Sequence, residues 1–195
     1  MTKIFLHGGS SSKNTEKNKR FFEDLIKSVN KEEIKILCIY FARPEHRWED
    51  SYAEDQSIFY ARGIEMGKEI ETKMATYDME DFREYIKNAD VVYINGGMKG
   101  HLKSTLEKLG NFREMIAGKT LVGISAGANI LCKYYYSMVS EDIREGIGLL
   151  NYKLLTHYSG EIMDGDKVKS LENYKEKIPL IKIPEEEYKI IEMTD

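Results

Sequence analysis

The chain has 195 residues, with 29 Lys or Arg against 33 Asp or Glu, so its formal net charge at pH 7 is -4. This length suits one domain with a substantial core, and we expect a single domain over residues 1–195. The net charge gives no bulk attraction to nucleic acid or to an anionic membrane, and no stretch is long and apolar enough to span a bilayer.

The start of the chain and its two cysteines favour the cytoplasm. Residues 1–6 run directly into a short apolar strand, without the longer hydrophobic region and cleavage site of a signal peptide. Cys38 lies in an apolar, strand-like run and Cys132 in a predicted helix, which is typical of buried thiols rather than of a disulfide.

Strands and helices alternate along the first half of the chain. The spacing of apolar residues predicts strands at 3–7, 34–41 and 69–74 and helices at 16–30, 48–66 and 79–88. His7 and the loop Gly8–Gly9 follow the first strand. The loop lacks the full spacing of a phosphate-binding loop, so we interpret it as a plain connection and His7 as structural.

A glycine-rich turn follows the next predicted strand, at 90–95, and precedes a predicted helix at 101–109. The turn reads Gly96–Gly97–Met98–Lys99–Gly100. So much glycine lets the backbone approach another group closely and point N–H groups into a cleft.

The sequence Leu121–Val122–Gly123–Ile124–Ser125–Ala126–Gly127–Ala128–Asn129 has the form of a nucleophile elbow. In this motif an apolar strand turns sharply into a helix, and a serine stands at the turn. The residues two before and two after the serine must be small so that strand and helix can pass closely, and here they are Gly123 and Gly127.

After the elbow we expect a helix at 126–136, a strand within 147–156 that ends at His157, and a helix at 168–177. Residues 180–183 and 188–191 flank Pro184–Glu187 and predict a terminal hairpin. The repeated strands and helices predict a three-layer α/β/α fold with a mainly parallel central sheet. In such a fold, sites lie beyond the carboxyl ends of the strands.

Three components of serine-based acyl transfer have candidates in this pattern. Ser125 would attack, and His157 would act first as general base and then as general acid. The backbone amides of Gly97 and Ala126 would form the oxyanion hole.

The chain resembles the serine peptidase family that contains dipeptidase E (aspartyl dipeptidase) and the cyanophycinases. The resemblance covers residues 90–161 and rests on Tyr93–Gly97, Gly123–Asn129 and Gly146–Leu150 leading to His157–Tyr158. It implies a fold similar to class I glutamine amidotransferases (flavodoxin-like). It also implies Ser125 as nucleophile, His157 as base and Gly97 as an oxyanion-hole donor.

The third triad member is open in this resemblance. The family's acid normally lies in the loop after the elbow helix, where this chain first has Glu141, and we take Glu141 as the acid. The alternatives are Asp142, Glu145 and Glu161. Met98 and Lys99 also depart from the family, whose glycine turn commonly continues with Gly and a polar residue such as Asn.

The resemblance implies a cofactor-free serine hydrolase, without a metal, that cleaves short peptides as a monomer or homodimer. In the aspartyl dipeptidases an arginine shortly after the histidine is associated with the acidic side chain of the substrate. Residues 159–177 contain no arginine, so strict aspartyl specificity is not expected.

The alternative to a peptidase is a catalytically silent relative that binds a small molecule or a partner. An amidotransferase-like enzyme would carry cysteine at position 125.

Overall fold

The computed structural model describes residues 1–98 and 101–194, which form two β-sheets flanked by helices. The strands are β1 (Thr2–His7), β2 (Glu33–Ile39), β3 (Glu69–Met74), β4 (Val91–Ile94), β5 (Thr120–Ile124), β6 (Cys132–Ser137), β7 (Asp142–Glu145), β8 (Leu150–Thr156), β9 (Leu180–Ile183) and β10 (Tyr188–Met193). The α-helices are α1 (Glu16–Lys27), α2 (Trp48–Glu65), α3 (Met79–Asn88), α4 (Leu102–Leu109), α5 (Phe112–Met115), α6 (Ala126–Leu131) and α7 (Glu161–Asn173).

The first sheet has six strands in the order β10-β1-β5-β4-β2-β3. Its strands pair in parallel except β10, which runs antiparallel to β1 at one edge. The α/β fold with a mainly parallel sheet is therefore confirmed. Apolar residues of β2, β4 and β5 are buried in the core, and they include Ile36, Ile39, Val92, Ile94, Val122 and Ile124.

Helix α1 shows how a local signal fixes an element beside the site. Thr15 caps the helix, since its side chain accepts the backbone N–H of Asn18 at 3.3 Å. The helix buries a row of aromatic and aliphatic side chains together with the polar Asn18. Asn18 is thereby held under the loop that follows β1.

The second sheet has four strands in the order β7-β6-β8-β9. The helix expected over residues 126–136 is wrong beyond Leu131, because Cys132–Ser137 form β6. The run Tyr134–Tyr136 has aromatic residues that favour a strand, and β6 pairs parallel with β8 and antiparallel with β7.

The expected terminal hairpin is also wrong. Strand β9 pairs in parallel with β8, whereas β10 pairs antiparallel with β1 in the other sheet. The turn at residues 184–187 therefore crosses from one sheet to the other. Because β8 and β9 are parallel, their carboxyl ends meet at one edge, and the turn after β9 lies beside His157.

Both cysteines are free and buried, as expected from their apolar surroundings. Burial raises the pKa of the Cys132 thiol to about 12. Among the described residues, no helix combines the length and the apolar character needed to cross a membrane.

Candidate active site

Ser125 stands at a sharp turn between β5 and α6. Its backbone angles are φ 49° and ψ -108°, a conformation that L residues rarely adopt. The turn is tight enough that a Cβ at position 127 would lie 2.3 Å from the carbonyl oxygen of Ile94, and one at position 123 would lie 2.6 Å from the nitrogen of Ala128. The two glycines are therefore required by close backbone approaches.

His157 follows β8 and faces Ser125 across the gap between the two sheets. The Oγ of Ser125 and the Nε2 of His157 are 2.7 Å apart. The backbone N–H of His157 donates to the carbonyl of Gly8 at 3.2 Å, which ties the end of β8 to the loop after β1. The structure thus brings together the serine and the histidine that the sequence singles out.

Glu185, in the turn between β9 and β10, is the carboxylate at the other ring nitrogen of His157. The Nδ1 of His157 lies 3.0 Å from the Oε1 of Glu185. The Oε2 of Glu185 accepts from the Ser10 hydroxyl at 2.9 Å and from the Lys13 ammonium at 3.2 Å. The hydrogen bond with His157, followed by those with Ser10 and Lys13, lowers the pKa of Glu185 to about 2.

The structure does not bring Glu141 to His157. Glu141 is exposed in the tight turn between β6 and β7, and its φ is 52°. The other three candidate acids are occupied elsewhere: Asp142 pairs with Arg144, Glu145 with Lys175 and Glu161 with Lys182. The expectation of Glu141 assumed an acid within the loop between serine and histidine, whereas the carboxylate that contacts the His157 ring lies beyond β9.

The loop after β1 packs against the His157 ring. A Cβ at Gly9 would lie 2.3 Å from the Cε1 of His157, and Gly9 has a φ of 132°. The backbone N–H of Gly9 donates to the Nδ1 of His7, so the Nε2 of His7 carries the proton that it donates to Asn18 Oδ1 at 3.1 Å. Burial lowers the pKa of His7 to about 4 and keeps this ring neutral at pH 7.

The two backbone donors expected for the oxyanion hole belong to residues that line the same pocket as Ser125. Ala126 is the first residue of α6, so its N–H has no acceptor within the helix. The glycine turn runs beside the elbow, since a Cβ at Gly96 would lie 3.1 Å from the Cβ of Ser125. Gly97 and the exposed Met98 line the same pocket, whereas Lys99 and Gly100 lie outside the described residues.

A pocket of about 1400 Å³ opens in front of Ser125 between the two sheets. The β6–β7 hairpin contributes one wall, which includes Tyr135, Met138 and Val139. Arg43, Asp55 and Asn95 also line the pocket. Within residues 1–98 and 101–194, no group of three or more His, Cys, Asp or Glu side chains could hold a metal ion.

Three of the lining residues belong to a second polar cluster, in which hydrogen bonds link Tyr40, Asp55, Asn95 and Arg43. Asp55 is only 2% exposed, and burial raises its pKa to about 6. Its Oδ2 accepts from the Tyr40 hydroxyl at 2.8 Å and from the Asn95 Nδ2 at 2.6 Å.

Sequence reasoning missed Glu185, Ser10 and the part played by the loop after β1. The signal for Glu185 was available, because a carboxylate after the carboxyl end of a strand is a site candidate whenever that strand is parallel to its neighbour. The predicted hairpin made β9 antiparallel, so the rule for parallel strands did not point to Glu185.

Comparisons with known proteins identify the family and the fold. The family model of peptidase family S51 matches residues 4–194. A search of the curated proteins finds no match. Two solved structures share the fold. The structure of a peptidase from an acI-B1 Actinobacterium has a TM-score of 0.65 and 22% identity over 95% of this chain and 81% of that one. The structure of a putative peptidase E protein from Listeria monocytogenes EGD-e has a TM-score of 0.62 and 16% identity over the full length of both chains.

Proposed function

The chain belongs to peptidase family S51, and on that premise we propose that it hydrolyses short peptides through an acyl-enzyme on Ser125. His157 is the general base in this proposal, and Glu185 is the acid that orients it. The observation that carries the proposal is the continuous set of contacts from Ser125 Oγ through His157 to Glu185, at 2.7 Å and 3.0 Å.

The hydrogen bonds assign a role to each atom. With Glu185 ionised, its carboxylate accepts the Nδ1–H of His157, so Nε2 is the nitrogen that accepts the Ser125 proton. Ser125 Oγ attacks the peptide carbonyl carbon as its proton moves to Nε2, and the carbonyl oxygen becomes an oxyanion. The N–H groups of Ala126 and Gly97 stabilise that oxyanion, a contribution that is typically about a hundredfold to a thousandfold for each donor.

The same groups complete acylation and then carry out deacylation. The imidazolium of His157 gives its proton to the leaving amine as the tetrahedral intermediate collapses, which leaves an ester on Ser125. Water then attacks the ester carbonyl as His157 takes one of its protons, and His157 gives this proton to the Ser125 Oγ when the second tetrahedral intermediate collapses, which releases Ser125 and the acid product. Glu185 stays ionised throughout and stabilises the imidazolium in both halves.

Stoichiometric labelling of Ser125 by a fluorophosphonate probe tests the proposal. We expect one label per chain in the unsubstituted protein, none in Ser125→Ala, and a strongly reduced labelling rate in His157→Ala. Mass spectrometry of the peptide that contains residue 125 locates the label.

An absence of label in the unsubstituted protein, with the fold intact by circular dichroism, would contradict the proposal. It would favour the other reading of the sequence, a silent family member that binds a small molecule or a partner. Label that persists at full rate in His157→Ala would instead remove His157 from the mechanism.

A further inference from the structure

Arg43 presents an unused edge of its guanidinium at the pocket. It follows the end of β2, is half-buried and lines the pocket. Its Nε and Nη2 both donate to the Oδ1 of Asn95, at 3.2 Å and 3.0 Å. These bonds occupy one edge of the planar fork. Nη1 and Nη2 form the other edge. At this edge, Nη1 has no hydrogen-bond partner among the described residues.

Asn95 is itself held in one orientation by Asp55. An ionised carboxylate only accepts hydrogen bonds, so the amide nitrogen of Asn95 faces Asp55 and the amide oxygen faces Arg43. Asn95 is 5% exposed and Asp55 is 2% exposed, so water does not compete freely for these contacts. The buried pair thereby aligns the guanidinium.

The other cations of the pocket have partners. Arg144 pairs with Asp142 at 2.9 Å, and the Lys103 ammonium donates to the carbonyl of Glu145 at 3.0 Å. Glu54 also lines the pocket, but in the described part of the chain no carboxylate oxygen lies within the 4.0 Å ion-pair distance of the Arg43 guanidinium nitrogens. Arg43 therefore lines the pocket without a direct ion pair in that part of the chain, although its charge acts on Asp55 through space and opposes the rise of the Asp55 pKa.

Arg43 follows a residue that contacts the glycine turn, which supplies a proposed oxyanion donor. Its neighbour Ala42 packs on the glycine turn, since a Cβ at Gly97 would lie 2.2 Å from the carbonyl oxygen of Ala42. Asn95 precedes Gly97 by two residues in the same turn. A ligand group bound to Arg43 would thus lie beside a proposed oxyanion donor.

We propose that the Nη1/Nη2 edge of Arg43 binds a carboxylate of the substrate, with Asn95 and Asp55 as positioning residues. This inference rests on the proposed function, because it assigns the substrate class of that same site. Arginine suits the task, since its rigid fork matches the two oxygens of a carboxylate. The carboxylate is either the C-terminal one of a short peptide or that of an acidic side chain.

Four dipeptides distinguish these two sources: Asp-Leu, Asn-Leu and the C-terminal amide of each. We expect Arg43→Gln to lower kcat/KM about tenfold to a hundredfold for the peptides that carry the recognised carboxylate, with little change for Asn-Leu amide. A loss shared by Asp-Leu and Asn-Leu identifies the C-terminal carboxylate. A loss shared by Asp-Leu and Asp-Leu amide identifies the side chain.

Two further variants serve as controls. Arg144→Gln removes another pocket-lining arginine, one already paired with Asp142, and we expect it to keep the preference for carboxylate peptides. Arg43→Lys keeps the charge but loses the planar fork, so it should recover only part of the preference. For the positioning residues, we expect Asn95→Ala to raise KM for carboxylate peptides with a smaller change in kcat. A general loss of structure would lower kcat for all four peptides.

A binding measurement separates this inference from the proposed function. Calorimetric titration of Ser125→Ala with the same peptides requires no catalysis, and adding Arg43→Gln should weaken binding of the carboxylate peptides by a similar factor. Binding of that kind without hydrolysis would leave the inference standing while the proposed function fails. If the fluorophosphonate labels Ser125 but the protein shows no preference for carboxylate peptides, the proposed function stands and the inference fails. A uniform loss over all four peptides in Arg43→Gln, or no loss in any, would overturn the inference.

Discussion

Two polar clusters meet at the pocket, and their carboxylates lie in opposite environments; we call these clusters the triad half and the arginine half. The triad half contains Ser125, His157 and Glu185 together with His7, Gly9 and Ser10, which pack around them. The arginine half contains Tyr40, Arg43, Asp55 and Asn95. The side chain of Glu185 is 45% exposed and contacts a histidine and a lysine, whereas Asp55 is 2% exposed and accepts hydrogen bonds from two neutral groups, the Tyr40 hydroxyl and the Asn95 amide. Their pKa values accordingly move apart, to about 2 for Glu185 and to about 6 for Asp55.

This difference separates the two tasks of the pocket. A carboxylate with a low pKa stays ionised beside an imidazole, which is the state that stabilises an imidazolium. A buried carboxylate bonded to neutral donors instead fixes the orientation of an amide and, through it, of an arginine. The difference fits the two proposed roles, proton transfer in the triad half and substrate binding in the arginine half.

Replacing Glu185 breaks the triad half most completely. We expect Glu185→Gln to lower kcat/KM for peptide hydrolysis by up to about ten-thousandfold, the size of the effect known for the corresponding acid-to-amide change in a serine protease. The amide no longer offers a charge to the imidazolium and allows the wrong tautomer of His157.

Glu141→Gln is the matched control, since it is the same substitution at the acid that the sequence favours. It should leave steady-state rates close to those of the unsubstituted protein. A large loss confined to Glu141→Gln would return the role to that residue. Near-normal rates in both variants would leave a dyad of Ser125 and His157.

Adding one methyl group at Gly9 tests whether the loop after β1 sets the position of the His157 ring. A Cβ there would lie 2.3 Å from the Cε1 of His157, so the ring or the loop must move. We expect Gly9→Ala to lower kcat/KM about a hundredfold, which is typical of a misplacement of about 1 Å at a reacting group.

Gly160→Ala provides the comparison for backbone strain alone. Gly160 also has a positive φ, of 108°, but nothing lies within 4 Å of a Cβ at that position. It should lose some stability and little activity. Equal loss of activity in the two variants would mean that strain, rather than contact with His157, explains the effect of Gly9→Ala.

The pH dependence of stability should differ in sign between the halves. The pKa of His7 is lowered from 6.5 to about 4, so the unfolded chain binds a proton in this range that the folded chain does not, and stability falls as pH drops. The pKa of Asp55 is raised from 3.8 to about 6, so here the folded chain binds the extra proton, and stability falls as pH rises.

Denaturant unfolding between pH 3.5 and pH 7 measures both contributions, which oppose each other in the unsubstituted protein. Relative to that protein, Asp55→Asn should make stability rise more steeply with pH, and His7→Gln should make it fall more steeply. Each difference should approach about 3 kcal/mol across the range, because one pKa unit corresponds to about 1.4 kcal/mol. Parallel curves for the three proteins would remove the proposed opposition between the halves.

The sequence predicted the first sheet well, for a physical reason. Strands buried on both faces must be apolar and β-branched along their length, so β2, β4 and β5 are visible as local runs. The strained turn at Ser125 is also visible in the sequence, since other backbone atoms lie too close to positions 123 and 127 for any residue except glycine. The placement of His157 followed from the rule that sites gather at the carboxyl ends of parallel strands.

The second sheet and the position of the acid were decided by the tertiary structure. Local periodicity shows that residues 180–183 and 188–193 are extended, but it does not show which strands they pair with. Their separation by a short turn favours a hairpin, yet β9 joins β8 and β10 joins β1. Because β9 and β10 join different sheets, the turn between them places Glu185 at the Nδ1 of His157, 28 residues away in sequence. The residues around a carboxylate in a turn do not indicate such a contact, because strand pairing between distant segments depends on the packing of the whole chain.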